Sequence, residues 1–451
     1  MSTPLTATGR RLPSLARRRP LLLTAIAYAA IMLTGAFVLL LPAMRDATRA
    51  TPIGFLDALF ISTSAVSTTG LVTIDPGTSF SFAGEIAVLL LLQTGGVGYM
   101  TVMSFFYILL RDRLSPAQIA LTRSGFGLPQ GFDILAFVRR VVAATLLIEA
   151  AGAASLAYLF HKAGVADPVW NGIFHAVSAF CTAGFSLFPT SLEAFRGNGS
   201  VLMIVAALSY IGAIGFVVLV EYFEALFIRP RRVSVTSKLV LWTSFWLAIL
   251  GTALLWTLDP TIRALPLEQQ LPNAFFQVMT ASTTVGFNTV PIGGLTPAGI
   301  LILYLLMFVG ASPAGTGGGL KSTTAVTLLA TALSSLRGAE AVSWRRYRLP
   351  VRRVQQAAGT LVTGLGVIFT ALVLLDVTGR YPFDQALFEV ISALSTVGLS
   401  MGLTGSLNDA GKLVITAVMF IGRVGMFAFF AAFAASGEVD ERPMPVRDVI
   451  L

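Results

Sequence analysis

One twelve-residue pattern occurs four times in this chain. FISTSAVSTTGL from Phe60, FHAVSAFCTAGF from Phe174, FQVMTASTTVGF from Phe276 and FEVISALSTVGL from Phe388 all fit F-x3-[ST]-A-x-[SCT]-T-x-G-[LF]. In every copy phenylalanine stands ten residues before the glycine, alanine five before and threonine two before. The glycines, Gly70, Gly184, Gly286 and Gly398, lie 114, 102 and 112 residues apart, so the chain is a fourfold internal repeat. The motif segments are too short to cross a membrane, and longer apolar runs flank each of them. The unit is therefore read as span, short re-entrant helix, span.

The composition supports a membrane setting. Of 451 residues, 55% are hydrophobic and 12% charged, against roughly 25% charged in a typical soluble domain. Runs long enough to cross about 30 Å of hydrocarbon begin near Leu21, Ala83, Ile134, Ser200, Leu239, Pro297, Ala357 and Gly411, giving eight spans. The first, Leu21 to Leu41, follows Ala16-Arg17-Arg18-Arg19 like a secretory signal, but its 21 residues exceed the core of one and should stay in the membrane. A single cysteine, Cys181, excludes internal disulfides.

The net charge of +9 is not a nucleic-acid signal, because it is unevenly placed. Five Lys and Arg precede the first span, five lie in 111–140, four in 229–238 and six in 337–353, while all the intervening segments together hold seven. Positive residues mark cytoplasmic loops, so both termini are expected inside. The expected organisation is a basic N-terminus 1–20, repeats over 21–110, 134–228, 238–336 and 354–436, and a C-terminal segment 437–451.

Repeats of one orientation can close around an axis along the membrane normal, each offering a T-x-G loop to that axis. Asp57, Asn171, Asn273 and Asp384 stand where N-caps of the short helices belong. Backbone that leaves a helix inside a bilayer must line a cavity or be buried in protein. The loop carbonyls, at the negative ends of the re-entrant helices, can then replace a cation's hydration shell. The plainer reading, that T-x-G only ends a buried helix, suits one copy better than four in register.

These features, with the GRVG of the last helix and the GASPAGTGGGLK stretch that interrupts the second span of the third repeat, resemble the Trk/Ktr/HKT superfamily of potassium transporters, and within it the membrane subunits (KtrB) of bacterial Ktr systems. The resemblance covers nearly the whole chain from about Leu21. It implies an all-α integral membrane protein of eight transmembrane helices and four pore helices around one central pore, in the bacterial plasma membrane. It also implies potassium uptake through a filter of Thr68, Thr69, Gly70, Thr182, Ala183, Gly184, Thr284, Val285, Gly286, Thr396, Val397 and Gly398. Further implied are a homodimer with one pore per subunit, membrane lipid around it, and a cytosolic nucleotide-binding RCK ring of the KtrA type. Plant relatives with serine at the first filter glycine pass sodium; Gly70 argues for potassium, K+, with Na+ a possible further ion. GRVGMF departs from the GRVGPL of many relatives, which weakens the transfer of detail in that helix.

One stretch stands apart from the repeat: GASPAGTGGGLK, Gly310 to Lys321. It is not a P-loop, because Leu320 separates the last glycine from Lys321 and both flanks are apolar and helix-length. From Pro297 to Leu336 there are 40 residues, about 60 Å as one helix, so the segment must break. Counting twelve residues into each second span reaches Gly96, Gly212, Gly310 and Arg423 at one depth below the filter. The loop, Gly310, Ala311, Ser312, Pro313, Ala314, Gly315, Thr316, Gly317, Gly318 and Gly319, with Lys321 and Arg423, is read as a movable barrier in the cytoplasmic half of the pore. Two roles stay open for Arg423, an electrostatic barrier or a donor to carbonyls freed by the break. Lys321 can line the pore, cap a helix or snorkel, and Glu149 is expected to pair within the bundle rather than bind the permeating ion.

An enzyme is not indicated, since the only histidines are His161 and His175 and no metal-ligand spacing appears. His175 is expected to pack or bond locally. The alternatives are a sodium-coupled secondary transporter, against which stand parallel repeats and a single broken helix, and the membrane subunit of an ATP-driven potassium pump.

Overall fold

The structure, a computed structural model, describes residues 20–46, 53–98, 134–228, 233–313, 315–345 and 347–433. The basic N-terminal residues, most of 111–140, residues 229–232, Ala314 and the C-terminal segment lie outside the described residues. The described chain is helical apart from one hairpin of two-residue strands, β1 Ser343–Trp344 and β2 Tyr347–Arg348.

Four groups of helices follow one another. The first holds α1 (Pro20–Leu39), α2 (Phe55–Ser67) and α3 (Phe82–Gly96). The second holds α4 (Ile134–Lys162), α5 (Pro168–Phe180), α6 (Gly199–Ile214) and α7 (Phe216–Phe223). The third holds α8 (Val235–Leu258), α9 (Leu267–Thr283), α10 (Pro297–Phe308) and α11 (Ser322–Leu336). The fourth holds α12 (Val351–Gly379), α13 (Phe383–Leu394), α14 (Asp409–Val424) and α15 (Met426–Phe433).

Within each group the first and third elements pack on the short motif helix: α1 and α3 on α2, α4 and α6 on α5, α8 and α10 on α9, α12 and α14 on α13. Between groups, α3 meets α5, α6 meets α9, α10 meets α13, and α14 returns to α2. The last contact carries an ion pair, Lys412 Nζ to Asp57 Oδ1 at 2.8 Å. The motif phenylalanines, Phe60, Phe174, Phe276 and Phe388, are all fully buried.

Four described helices are long and apolar enough to cross a membrane unbroken: Leu22–Leu39, Val138–Lys162, Val235–Leu258 and Val351–Gly379. The expected second spans are interrupted instead. α6 and the helix after it meet at 96° across Gly215, whose φ of 98° no side-chain-bearing residue adopts easily. Gly425 breaks the last helix with the same φ, 98°, and Gly98 ends the described part of the first group's helix at φ 82°. The expectation of a single broken helix is thus corrected. The reason is a shared G-x-x-G, Gly95 to Gly98, Gly212 to Gly215 and Gly422 to Gly425, whose second glycine turns the chain.

The expected N-caps are also corrected. The motif helices begin earlier, with Gly54, Asp167, Pro266 and Pro382 at the cap positions, and none of these caps by side chain. Asp57 and Asp384 lie in the first turn, where a carboxylate suits the helix dipole. Asn171 and Asn273 lie inside their helices, and their amides donate to upstream carbonyls, of Ala166 at 2.9 Å and of Gln269 at 2.7 Å.

Candidate functional site

Each motif helix ends in the same way. Thr68, Thr182, Thr284 and Thr396 take left-handed backbone angles, with φ of 54°, 50°, 60° and 49°. That conformation is unusual for a β-branched residue and costs on the order of 1–3 kcal/mol. It is held by two backbone hydrogen bonds per copy. The threonine N–H donates three residues back, to Ala65, Ala179, Ala281 and Ala393, and the next N–H donates five back, to Ser64, Ser178, Thr280 and Ser392. This is the helix-ending pair of bonds that satisfies orphan carbonyls. The motif's [ST] adds a further tie in two copies: the Ser64 and Ser392 hydroxyls accept from the Gly70 and Gly398 N–H groups, both at 3.1 Å.

The four T-x-G segments meet edge to edge. A methyl group built on Gly70 would lie 2.5 Å from the Ala183 carbonyl oxygen. In the same way one on Gly184 would overlap the Val285 oxygen, one on Gly286 the Val397 oxygen and one on Gly398 the Thr69 oxygen. The order 70, 184, 286, 398 and back to 70 is a closed ring with the carbonyl before each glycine set against its neighbour's glycine. All twelve expected filter residues are therefore in one place. The eight threonine and x positions are fully buried, while the four glycines line an open mouth of about 370 Å³ that also includes Asp75 and Glu193.

Against the threonine side of the ring lies the 310–321 loop. The Thr68 hydroxyl reaches the Thr316 carbonyl at 3.3 Å, the Thr182 hydroxyl reaches the Thr316 hydroxyl at 3.0 Å, and the Thr284 hydroxyl accepts from the Gly318 N–H at 3.0 Å. A methyl on Gly318 would overlap the fourth threonine's hydroxyl, Thr396 Oγ1. The loop thus touches all four copies. Its glycines are explained by contact: a methyl on Gly315 would stand 2.5 Å from the Ala213 oxygen, and one on Gly317 2.5 Å from Thr284 Oγ1.

The loop is anchored at both ends and from the side. Gly310 N–H donates to Leu320 O at 3.0 Å and Leu320 N–H to Phe308 O at 3.1 Å, which closes its neck. The break at Gly215 leaves the last carbonyls of α6 without helical partners. Gly212 O and Ala213 O accept instead from the amides of Thr316 and Ser312, both at 3.2 Å. Arg423 Nη1 donates to Thr316 O at 2.8 Å and to the Thr68 hydroxyl at 3.0 Å, and its Nη2 to Gly95 O. Lys321 Nζ donates to Gly317 O at 2.6 Å. Both cations therefore bond loop carbonyls.

The depth match of the second spans slips by one residue. The glycines that pack beneath the motif helices are Gly95, Gly212 and Gly422, where a methyl would overlap the carbonyls of Val66, Phe180 and Leu394. These carbonyls occupy one motif position, and Arg423 corresponds to Gly96 and Ala213. Glu149 is buried and accepts from Gln93 Nε2 at 3.1 Å. His175 stacks on Phe188 with centroids 4.5 Å apart. Among the described residues no group of three or more His, Cys, Asp or Glu is arranged to hold a metal ion.

Residues 27–441 match the profile of the TrkH family, described as a cation transport protein. The chain is 33% identical over 425 residues to Ktr system potassium uptake protein B of Bacillus subtilis, covering 93% of this chain and 94% of the relative. It is 34% identical to the protein of the same description from Vibrio alginolyticus, covering 89% and 88%. It is 31% identical to the potassium/sodium uptake protein NtpJ of Enterococcus hirae, covering 91% and 92%. In fold it is similar to the crystal structure of the potassium transporter TrkH from Vibrio parahaemolyticus, with a TM-score of 0.76, 20% identity, and coverage of 95% of this chain and 87% of that one.

Proposed function

Because the chain belongs to the TrkH family of cation transport proteins, we propose that it is the membrane component of a bacterial potassium uptake system, with the T-x-G ring as its selectivity filter. The observation that carries this reading is the closed ring of four glycines, each against its neighbour's carbonyl oxygen. Carbonyl oxygens in such a ring can replace the hydration shell of a potassium ion. The ring closes four span, pore-loop, span repeats around a single pore, and the re-entrant motif helices aim their negative ends at it.

The mouth with Asp75 and Glu193 faces outside, where its carboxylates raise the local cation concentration. The 310–321 loop and Arg423 then lie on the cytoplasmic side and obstruct the path. Both termini are cytoplasmic, two chains form a homodimer in the bacterial plasma membrane, and an RCK ring of the KtrA type docks on the basic cytoplasmic segments. Potassium and sodium flux into liposomes holding the purified chain tests the filter. Gly70→Ser should reduce discrimination between the two, since its side chain would meet Ala183 O at a backbone φ of 96°. Unchanged relative flux in a folded variant refutes the filter assignment. The Enterococcus relative named for potassium and sodium keeps sodium coupling as a second reading, and potassium flux with and without sodium decides it.

A further inference from the structure

The second residue of the repeat motif differs among the copies: Ile61, His175, Gln277 and Glu389. In two of them a buried acceptor reaches from the motif helix to a serine two residues beyond the motif glycine. Ser400 Oγ donates to Glu389 Oε2 at 2.9 Å, and the same hydroxyl accepts from Gly402 N–H at 2.9 Å. Glu389 Oε1 is held by the Thr404 hydroxyl.

The second group repeats the design with different chemistry. His175 Nδ1 stands 2.8 Å from the Asn171 carbonyl, which only accepts, so Nδ1 carries the proton. In an uncharged ring Nε2 is then an acceptor for the Ser186 hydroxyl, 2.9 Å away, and that hydroxyl accepts from Phe188 N–H at 2.9 Å. Glu389 and His175 are both fully buried, while Ser186 and Ser400 line the mouth beside the four glycines. The ring order places these two groups diagonally across it. Gln277 braces less directly, donating to Val290 O at 3.2 Å, and Ile61 has no polar group to offer.

We propose that Glu389 and His175 are positioning residues for cation selection: each turns a mouth serine hydroxyl back into the protein and fixes the chain immediately after a filter glycine. The inference rests on the filter reading above. Where the acceptor is lost and the serine kept, the freed hydroxyl can also point into the mouth and coordinate a smaller, more strongly hydrated cation; the serine-to-alanine variants lack that hydroxyl and act only through the loosened turn. The turn that holds the Gly398 or Gly184 carbonyl loosens at the same time.

The test is rubidium and sodium flux through the full chain in liposomes, with Ser400→Ala, Ser186→Ala, Glu389→Leu, His175→Leu and Glu389→Gln. The rubidium-to-sodium ratio should fall by roughly tenfold in Ser400→Ala and Glu389→Leu, the size of effect one lost hydrogen bond produces. Ser186→Ala and His175→Leu should shift it in the same direction, and Glu389→Gln, which keeps an acceptor oxygen, should restore it. Should the buried leucine variants not fold, the two serine variants carry the test, since both sites line the mouth. A general loss of packing would reduce both fluxes by one factor and leave the ratio unmoved, and that outcome overturns the proposal. If Gly70→Ser changes the ratio and no brace variant does, the proposal is wrong and the filter reading stands. If Gly70→Ser leaves it unchanged as well, both fall.

Discussion

Removing the charge of Arg423 is expected to raise potassium flux. An ion touching the Thr68 hydroxyl at roughly 3 Å lies within about 6 Å of the guanidinium, because Nη1 is 3.0 Å from that oxygen. For unit charges at about 6 Å, the repulsion is ~0.7 kcal/mol at the dielectric constant of water and ~3 kcal/mol at an effective value of about 20. These limits correspond to roughly threefold and hundredfold in rate. Arg423 is half-buried, so an increase of about tenfold is the working expectation for Arg423→Ala. The arginine also tethers the loop through Thr316 O, and two further variants separate the effects. Arg423→Gln removes the charge and keeps a donor; Arg423→Lys keeps the charge and loses the two-pronged contact. If charge dominates, flux rises in the glutamine variant and stays low in the lysine variant. Rubidium uptake into liposomes, with the rubidium-to-sodium ratio checked in each variant, reads this directly. Unchanged flux in a folded, selective Arg423→Ala protein would refute the barrier.

Deleting residues 314–318 should likewise raise flux with potassium preference retained, and if both act at one constriction, as proposed, combining it with Arg423→Ala should give less than the sum of the two effects; flux at or below the parent value makes the loop a structural hinge. Gly215→Ala and Gly425→Ala force a side chain into φ near 98° and should each destabilise by ~1–3 kcal/mol, seen as a lower melting temperature in detergent. Lys412→Ala and Asp57→Ala should show a coupling of about 1 kcal/mol in a double-mutant cycle, their ion pair being mostly shielded from solvent. Light scattering on the purified chain should report a dimer, and a monomer at all concentrations contradicts the proposed assembly.

The motif was legible because its residues serve the backbone. Threonine and glycine mark the two positive-φ positions, and the Ser64 and Ser392 hydroxyls hold glycine amides, so type and spacing both survive in the sequence. The loop was legible for a different reason: 40 residues cannot cross as one helix. The breaks at Gly215 and Gly425 are not legible although GAIG and GRVG stand in the sequence, since a lone glycine in an apolar run is as compatible with a close helix contact as with a turn. Both uses occur here, one glycine of each G-x-x-G for contact and the other for the turn. The braces at His175 and Glu389 were hidden because the partner serine lies outside the twelve-residue pattern and the bracing residue changes type from copy to copy.

On the proposed gating role, the breaks would supply both the anchors that hold the loop and a cost for moving it. A helix that turns inside the membrane leaves carbonyls that must find donors. Gly95 O takes the Arg423 guanidinium, and Gly212 O and Ala213 O take the amides of Thr316 and Ser312. The two α6 acceptors that hold the loop are thus products of the turn at Gly215. If the loop moves aside as proposed, Gly212 O and Ala213 O lose the amides of Thr316 and Ser312 and need water or a cation in their place. On that reading, opening would be coupled to hydration of the space the loop leaves below the threonines.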